Sequence, residues 1–305
     1  MGKIAFVFSG QGAQYSGMGK SLADHNPAAA DVFRRAEGIR PGTAQQCFNA
    51  PEEELGETKN TQPCIFAVEL SAAAALTAGG VTPDMIAGYS LGELSAVVFS
   101  GALPFEEGFR LVCLRGELMQ KDAEKAKSGM AAVLRLDAEM VERLCAGYEH
   151  VYPVNYNCPG QVSVSGLETE LIDFYKDVKA AGGRAVPLRV RGGFHSPFMA
   201  EASAQFAKAA GELTFRKPGV PLYSNCTGLP YESNFAELLG RQICNPVRWE
   251  QIIRGMLCLC VDTFIEIGPG NTLCGLISKI DPSVRTLHVE DCKSLEETVR
   301  EAKKC

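Results

Sequence analysis

After Lys3 the residues IAFVF are uniformly apolar, and a glycine turn at 10–12 follows, which predicts a buried first strand over KIAFVF (3–8). Helix-forming residues then run through DVFRRAEGI. A second helix is predicted across IFAVELSAAAALTAGG, ended by Gly79 and Gly80. Next come a short apolar run, MIAG, a turn built on Gly88-Tyr89-Ser90-Leu91-Gly92, and another helix from about Leu91. Strand, turn and helix in this order favour a parallel sheet with helices on its faces.

From Pro104 a long helix is predicted, with the proline in the first turn, where its missing N–H is not needed. The helix runs through FEEGFRLVCLRGELMQKDAEKAK, and its charged end near 121–128 marks a candidate boundary. Beyond it, GMAAVLRL, AEMVERLCAGY, VYPVNYNCPGQVSVSG, ELIDFYKDVKAAGG and RAVPLRV read as β, α, β-turn-β, α, β, the order of a ferredoxin-like unit. The α/β pattern resumes in VPLYSNCTG, RWEQIIRGMLCLC, DTFIEIGPG and TLHVED. The expected fold class is therefore α/β, with a large parallel-sheet domain over 1–125 and 192–305 and a small inserted α+β domain over 126–191.

Composition changes this picture little. The chain has 305 residues, 46% hydrophobic and 22% charged, as in an ordinary globular protein. A net charge of −6 argues against nucleic-acid binding through a broad basic face. The twelve cysteines include no CxxC pair, only Cys258-Leu259-Cys260, so neither a zinc ribbon nor a thioredoxin-type spacing is present. No secretory h-region is expected at MGKIAFVFSGQG, and no apolar run approaches the ~18 residues that span a bilayer. Free thiols without a secretion signal point to a reducing cytoplasm, with most cysteines as small core hydrophobes. No metal constellation stands out.

Gly88–Gly92 fits G-x-S-x-G. Such a turn either pushes the Ser90 hydroxyl out at a helix N-terminus, where N–H groups favour negative charge, or is a plain glycine turn. A serine nucleophile needs a base, and there are four histidines. His25, His150 and His288 read as two surface residues and a strand residue. His195 follows a Gly-Gly pair and precedes a proline in RVRGGFHSPFM, a setting that suits either a positioned base or a structural histidine. Arg115 shares a helix face with Leu111 and Leu118, and a guanidinium in an apolar seam needs a partner. That partner is either Glu117 or Glu93 in a salt bridge, or a substrate carboxylate received by the open fork. GQGAQY (10–15) and GPGNTL (268–273) lack the third glycine of a dinucleotide fingerprint, yet both follow strands at the ligand-binding edge of such sheets.

Taken in order, FVFSGQGAQYSGMG, GYSLGELSAV, LRGELMQ, NYNCPGQVSVSG, GFHSPFM, RQICNPVRW and EIGPGNTL resemble the malonyl-CoA:acyl carrier protein transacylases and the related acyltransferase domains of polyketide synthases, over nearly the whole chain. The resemblance implies a hydrolase-like α/β domain with a ferredoxin-like insert. It implies that Ser90 is the acylated nucleophile, His195 its base, and Gln242 the residue whose backbone carbonyl orients the imidazole. Gln11 and Leu91 match the positions whose N–H groups form the oxyanion hole, and Arg115 matches the arginine that holds the malonyl carboxylate.

The reaction so implied passes malonyl from malonyl-CoA to a carrier protein's phosphopantetheine thiol, through a malonyl-serine ester in a ping-pong cycle, for fatty-acid synthesis. The other readings are a free-standing acyltransferase for a polyketide synthase, a serine hydrolase or thioesterase, and a non-catalytic carrier-binding scaffold. No bound cofactor, no nucleic-acid or membrane partner, and a cytoplasmic monomer are expected. Ser9 and Tyr89 depart from the family's usual proline and histidine, while Leu91 and Phe194 resemble malonyl-selective members. Arg184, Arg189 and Arg191, at the end of the insert, are candidates for contact with the carrier protein or the coenzyme A phosphates.

Overall fold

Strands β1 (Lys3–Phe8), β2 (Met85–Gly88), β3 (Ser128–Leu134), β4 (Val151–Cys158), β5 (Gln161–Leu167), β6 (Arg184–Pro187), β7 (Val261–Ile267) and β8 (Arg285–Val289) form two sheets in this computed structural model, which describes residues 2–303. The first is wholly parallel, in the order β2-β1-β7-β8. Ala5, Phe6, Val7 and Phe8 are all fully buried, as expected for a central strand covered on both faces. The side-chain period of two divides them. Phe6 and Phe8 join Ile86, Ile265 and Ile267 in a core shared with the helix Thr58–Ala78. Ala5 and Val7 face Trp249, Ile253 and Ile277 on the other side.

The helix Thr58–Ala78 begins seven residues before the apolar run that predicts it. Its polar first turns are buried because they bond the preceding short helix Glu52–Leu55, as when Asn60 Nδ2 donates to the Glu54 carbonyl at 3.0 Å. By length and composition this helix could cross a membrane, contrary to the sequence expectation, and 83% of that window is buried inside the protein. The helix Phe105–Ala123 packs against it and carries Arg115 inward.

The second sheet runs β4-β5-β3-β6 with every neighbour antiparallel. Val133, Val162 and Val164 point to one face, where Val141 and Phe174 from the helices Ala138–Cys145 and Glu168–Ala180 cover them. Strand order and chain order together give the ferredoxin-like arrangement. A parallel bridge from Asn155 to Val247 ties β4 to the larger unit.

Two local expectations need correction. VPLYSNCTG forms no strand: Leu222 makes a single bridge to Ile86, and Tyr223 one to Pro230. Asn225 in it bonds the Ser90 turn instead of a ladder. The cysteines are less buried than expected. Of the eleven described, all free, only Cys47, Cys64, Cys145 and Cys158 are buried, and Cys258 and Cys260 are exposed.

Candidate active site

Strand β2 ends at Gly88, and the helix Gly92–Phe99 begins four residues later. Between them Ser90 takes a left-handed backbone, φ 54°, which L-residues with side chains rarely adopt. The flanking glycines are required by contact. A Cβ on Gly88 would lie 1.9 Å from the Gly92 carbonyl carbon, and one on Gly92 would lie 2.5 Å from the Phe8 oxygen. Asn225 holds the turn at two points. Its Oδ1 accepts from the Ser90 N–H at 2.7 Å, and its Nδ2 donates to the Gly88 carbonyl at 2.7 Å.

His195 also has a left-handed backbone, φ 60°, on the segment that returns from β6. Its loop is pinned on two sides. Gly193 N–H donates to Ser128 Oγ on β3 at 2.9 Å, and Ser165 Oγ on β5 donates to the Phe194 carbonyl at 2.7 Å. The His195 N–H itself reaches the Ile243 carbonyl at 3.1 Å. His195 Nδ1 lies 2.8 Å from the Gln242 carbonyl, and Nε2 lies 2.7 Å from Ser90 Oγ. A carbonyl can only accept, so Nδ1 carries the proton and Nε2 is left to accept from the serine. Burial, helped by the positive charge of Arg115, lowers the imidazole pKa from 6.5 to about 4, against the pull of the Gln242 and Asn245 carbonyls. The ring is therefore neutral at pH 7 and able to take a proton.

Arg115 comes from the helix Phe105–Ala123 and is only 2% exposed. Its Nη2 donates to Gln242 Oε1 at 2.7 Å and lies 3.3 Å from Ser90 Oγ. Burial pushes its pKa from 12.5 down to about 10, so it stays charged at pH 7, with Glu93 acting in the opposite sense. Neither carboxylate considered from the sequence bonds it directly: the Gln242 amide stands between Arg115 and Glu93. Gln242 Nε2 donates to Glu93 Oε2 at 2.7 Å and to the Ser90 carbonyl at 2.6 Å. Glu93 also accepts from the Tyr231 hydroxyl at 2.5 Å and the Asn225 N–H at 3.1 Å. Burial raises its carboxyl to about 7 despite these donors. The set combines a hydroxyl, an acceptor nitrogen and a buried cation around one point, which is equipment for acyl transfer with an anionic acyl group.

A cavity of about 230 Å³ opens onto Ser90 and His195, with Gly10, Gln11, Tyr89 and Phe194 in its wall. Gln62 Oε1, Asn155 Oδ1 and Glu266 Oε1, three buried acceptors without a protein partner, belong to residues of the same wall. Gln11 is held by its side chain, which donates to Thr58 Oγ1 at 3.3 Å, and Leu91 is fully buried just before the helix start. Tyr89 donates to Asn157 Oδ1 at 2.6 Å and meets Trp249 edge-on at 5.4 Å. A neighbouring cleft of about 1070 Å³ shares Met130, Leu188 and Val190 with this wall, and the exposed Arg189 and Arg191 line it. Arg184 stands exposed on β6 and does not line the cleft. No cluster able to hold a metal occurs among the described residues.

The remaining histidines stay apart from this group. His25 bonds its own helix at Ser21, His150 pairs with Glu170 at 2.8 Å, and His288 lies on β8 near Glu290. Sequence reading missed Asn225, whose stretch YSNCTG carries no recognisable pattern, and it considered Glu93 only as an ion-pair partner. From sequence, Ser9 stands out only as a departure from the usual proline of the family resembled. In the structure Ser9 Oγ donates to the buried Glu69 at 2.9 Å, a bond that proline could not make.

Comparison with known proteins agrees in extent. The family described as acyl transferase domain matches residues 5–303. The chain is 35% identical over 312 residues to the malonyl CoA-acyl carrier protein transacylase of Bacillus subtilis (strain 168), covering 99% of this chain and 98% of that protein. Among solved structures, the malonyl CoA-acyl carrier protein transacylase from Clostridium perfringens superposes with a TM-score of 0.95 at 38% identity, covering 99% of this chain and 98% of that one. A malonyl-transacylase solved in complex with its type II polyketide synthase acyl carrier protein superposes with a TM-score of 0.94 at 33% identity, covering 98% and 99%.

Proposed function

The chain belongs to the acyl transferase domain family, and from that premise we propose that it transfers malonyl from malonyl-CoA to the phosphopantetheine thiol of an acyl carrier protein, in the service of fatty-acid synthesis. The observation that carries the reading is the convergence on one atom: Ser90 Oγ has His195 Nε2 at 2.7 Å and Arg115 Nη2 at 3.3 Å.

In this reading His195 takes the Ser90 proton as the oxygen attacks the thioester carbonyl, and Nδ1, bonded to the Gln242 carbonyl, keeps the ring aligned. The backbone N–H groups of Gln11 and Leu91 receive the developing oxyanion, each worth about 2.7–4 kcal/mol by analogy with other acyl-transfer enzymes. Arg115 takes the free carboxylate of the malonyl group. A neutral acyl chain would forgo that charge-assisted hydrogen bond, which is how the site selects its substrate. Coenzyme A leaves as the thiol, having taken its proton from His195. The carrier thiol then attacks the malonyl-serine ester by the same steps in reverse. Arg189 and Arg191 line the adjoining cleft, and their charge suits an acidic carrier protein or coenzyme A phosphates.

The buried cation beside Ser90 favours an anionic acyl group over the neutral acyl chains of a general esterase or thioesterase. The experiment is brief exposure to malonyl-CoA followed by intact-protein mass. A malonyl increment on the wild type that is absent from Ser90→Ala is expected. Release of free malonate at the same rate with and without carrier protein would favour a hydrolase instead. The related complex with a polyketide carrier makes the same assay worth running with both carrier types.

A further inference from the structure

Arg115 and Glu93 are almost wholly buried, yet they do not touch. The Gln242 amide accepts from one and donates to the other, 2.7 Å on each side, so two opposite charges face each other across a single neutral side chain. A buried guanidinium without a counter-charge is costly, and in the empty site Glu93 supplies that charge.

The other groups around Glu93 do not take its place. Tyr231 and the Asn225 N–H donate to it, the Cys226 thiol is pushed up to about 11, and His195 is neutral. The helix Thr58–Ala78 packs on the helix Gly92–Phe99 that carries Glu93 and offers Glu69, but burial raises that carboxyl well above the usual range, and it is engaged by Ser9 and Ser95, which donate to it. Strand β2 carries no ionisable side chain, and β1 carries only Lys3, exposed at its far end. Arg241, on the helix that holds Gln242, is exposed and paired with Glu237.

A malonyl carboxylate on Arg115 would bring a second anion to this one cation. Two anions and a single cation in a buried site leave an uncompensated charge, and the usual relief is neutralisation of one acid. We propose that Glu93 is the resident counter-ion of Arg115, and that it yields this place to the incoming acyl carboxylate by taking up a proton from solvent. Acyl loading is then coupled to proton uptake, and Glu93 tunes the site for singly anionic acyl groups without touching them. The inference rests on the proposed malonyl transfer. The balance is simple: malonyl-CoA, the serine hydroxyl, the Glu93 carboxylate and one proton give malonyl-serine, the Glu93 carboxylic acid and the coenzyme A thiol. Transfer to the carrier thiol releases the proton, so a full turnover consumes none. Burial already holds the Glu93 carboxyl near 7, within reach of such a change.

The test mixes the full chain with stoichiometric malonyl-CoA in lightly buffered phenol red between about pH 6 and 8.5, while intact mass counts the adduct in the same samples. About half a proton per adduct is expected near pH 7, where the free carboxyl is half ionised. Glu93→Gln, labelled more slowly, is expected to form adduct with no uptake. Tyr231→Phe keeps the carboxyl but removes a donor that favours its charged form, so the uptake maximum is expected to move to higher pH. Adduct without proton uptake in the wild type overturns the inference alone, as does undiminished uptake in Glu93→Gln or an unmoved maximum in Tyr231→Phe. A wild type that forms no adduct at all removes the transfer reading and this inference together.

Discussion

The Ser165 hydroxyl, on the antiparallel sheet, donates at 2.7 Å to the carbonyl of Phe194, the residue immediately before His195. The smaller unit therefore holds the loop that carries His195. Ser165→Ala leaves that carbonyl without its donor, a loss of about 1–3 kcal/mol for a buried acceptor. Urea unfolding should register this. In stopped-flow labelling with malonyl-CoA the acylation rate should drop, within the ~10²-fold that a 1 Å misplacement can cost, while KM changes little. An unchanged rate would mean that the Ser128 and Ile243 bonds suffice to hold the loop.

Asn225 pins the serine turn at the Gly88 carbonyl and the Ser90 N–H. Asn225→Ala removes both bonds from a backbone that resists its own conformation. The expected result is loss of ~1–3 kcal/mol of stability together with a large fall in malonyl-serine formation. Asn225→Asp keeps the acceptor for Ser90 but loses the donor to Gly88, and should fall between the two in a single-turnover assay.

The His195 imidazole is lowered from 6.5 to about 4 by burial and by Arg115. Its basic form therefore persists as the pH falls from 7 to 5, and the acid limb of acylation assigned to this ring should sit well below 6.5. Arg115→Ala removes one of the two causes, so the limb should move up. The same shift has a stability side. Between 6.5 and about 4 the unfolded chain holds a proton on this ring that the folded chain lacks, so folding weakens as pH falls through that window, by up to ~3 kcal/mol. His195→Gln should lose that part of the acid sensitivity, which thermal melts at pH 7 and pH 5 would compare.

Arg189 and Arg191 are exposed in the cleft beside the cavity. If they meet an acidic carrier or coenzyme A phosphates, Arg189→Glu with Arg191→Glu should raise the carrier-protein KM several-fold, most strongly at low ionic strength. Acylation measured at saturating malonyl-CoA should be little affected. An unchanged carrier KM would assign these arginines to a solvated edge.

The parallel core was readable because β1 is a continuous apolar run and Gly88 and Gly92 mark a turn that no other residue fits. Ser90, His195 and Arg115 stood out for similar reasons: each breaks the local pattern, as a hydroxyl between glycines, an imidazole after a Gly-Gly pair, and a cation in an apolar helix face. The groups that hold them were hidden. Asn225 acts through side-chain bonds to backbone atoms 135 and 137 residues away and Ser165 through one 29 residues away, and such long-range pairing leaves no periodic trace. Glu93 looked like an ion-pair partner because sequence cannot show that an amide from residue 242 would stand between two charges. The stretch around Leu222 misled for the opposite reason. It has strand-like apolar residues, but its Asn225 is committed to the Ser90 turn.

Ser90 and His195 both keep a backbone hand that glycine alone adopts freely, with φ of 54° and 60°. The two side chains proposed to react are thus mounted where the polymer would sooner have none. Exchanging Ser90 for glycine should yield a silent protein that resists denaturant better than the parent. The surplus resistance of that variant would report the folding energy set aside to hold the hydroxyl in place.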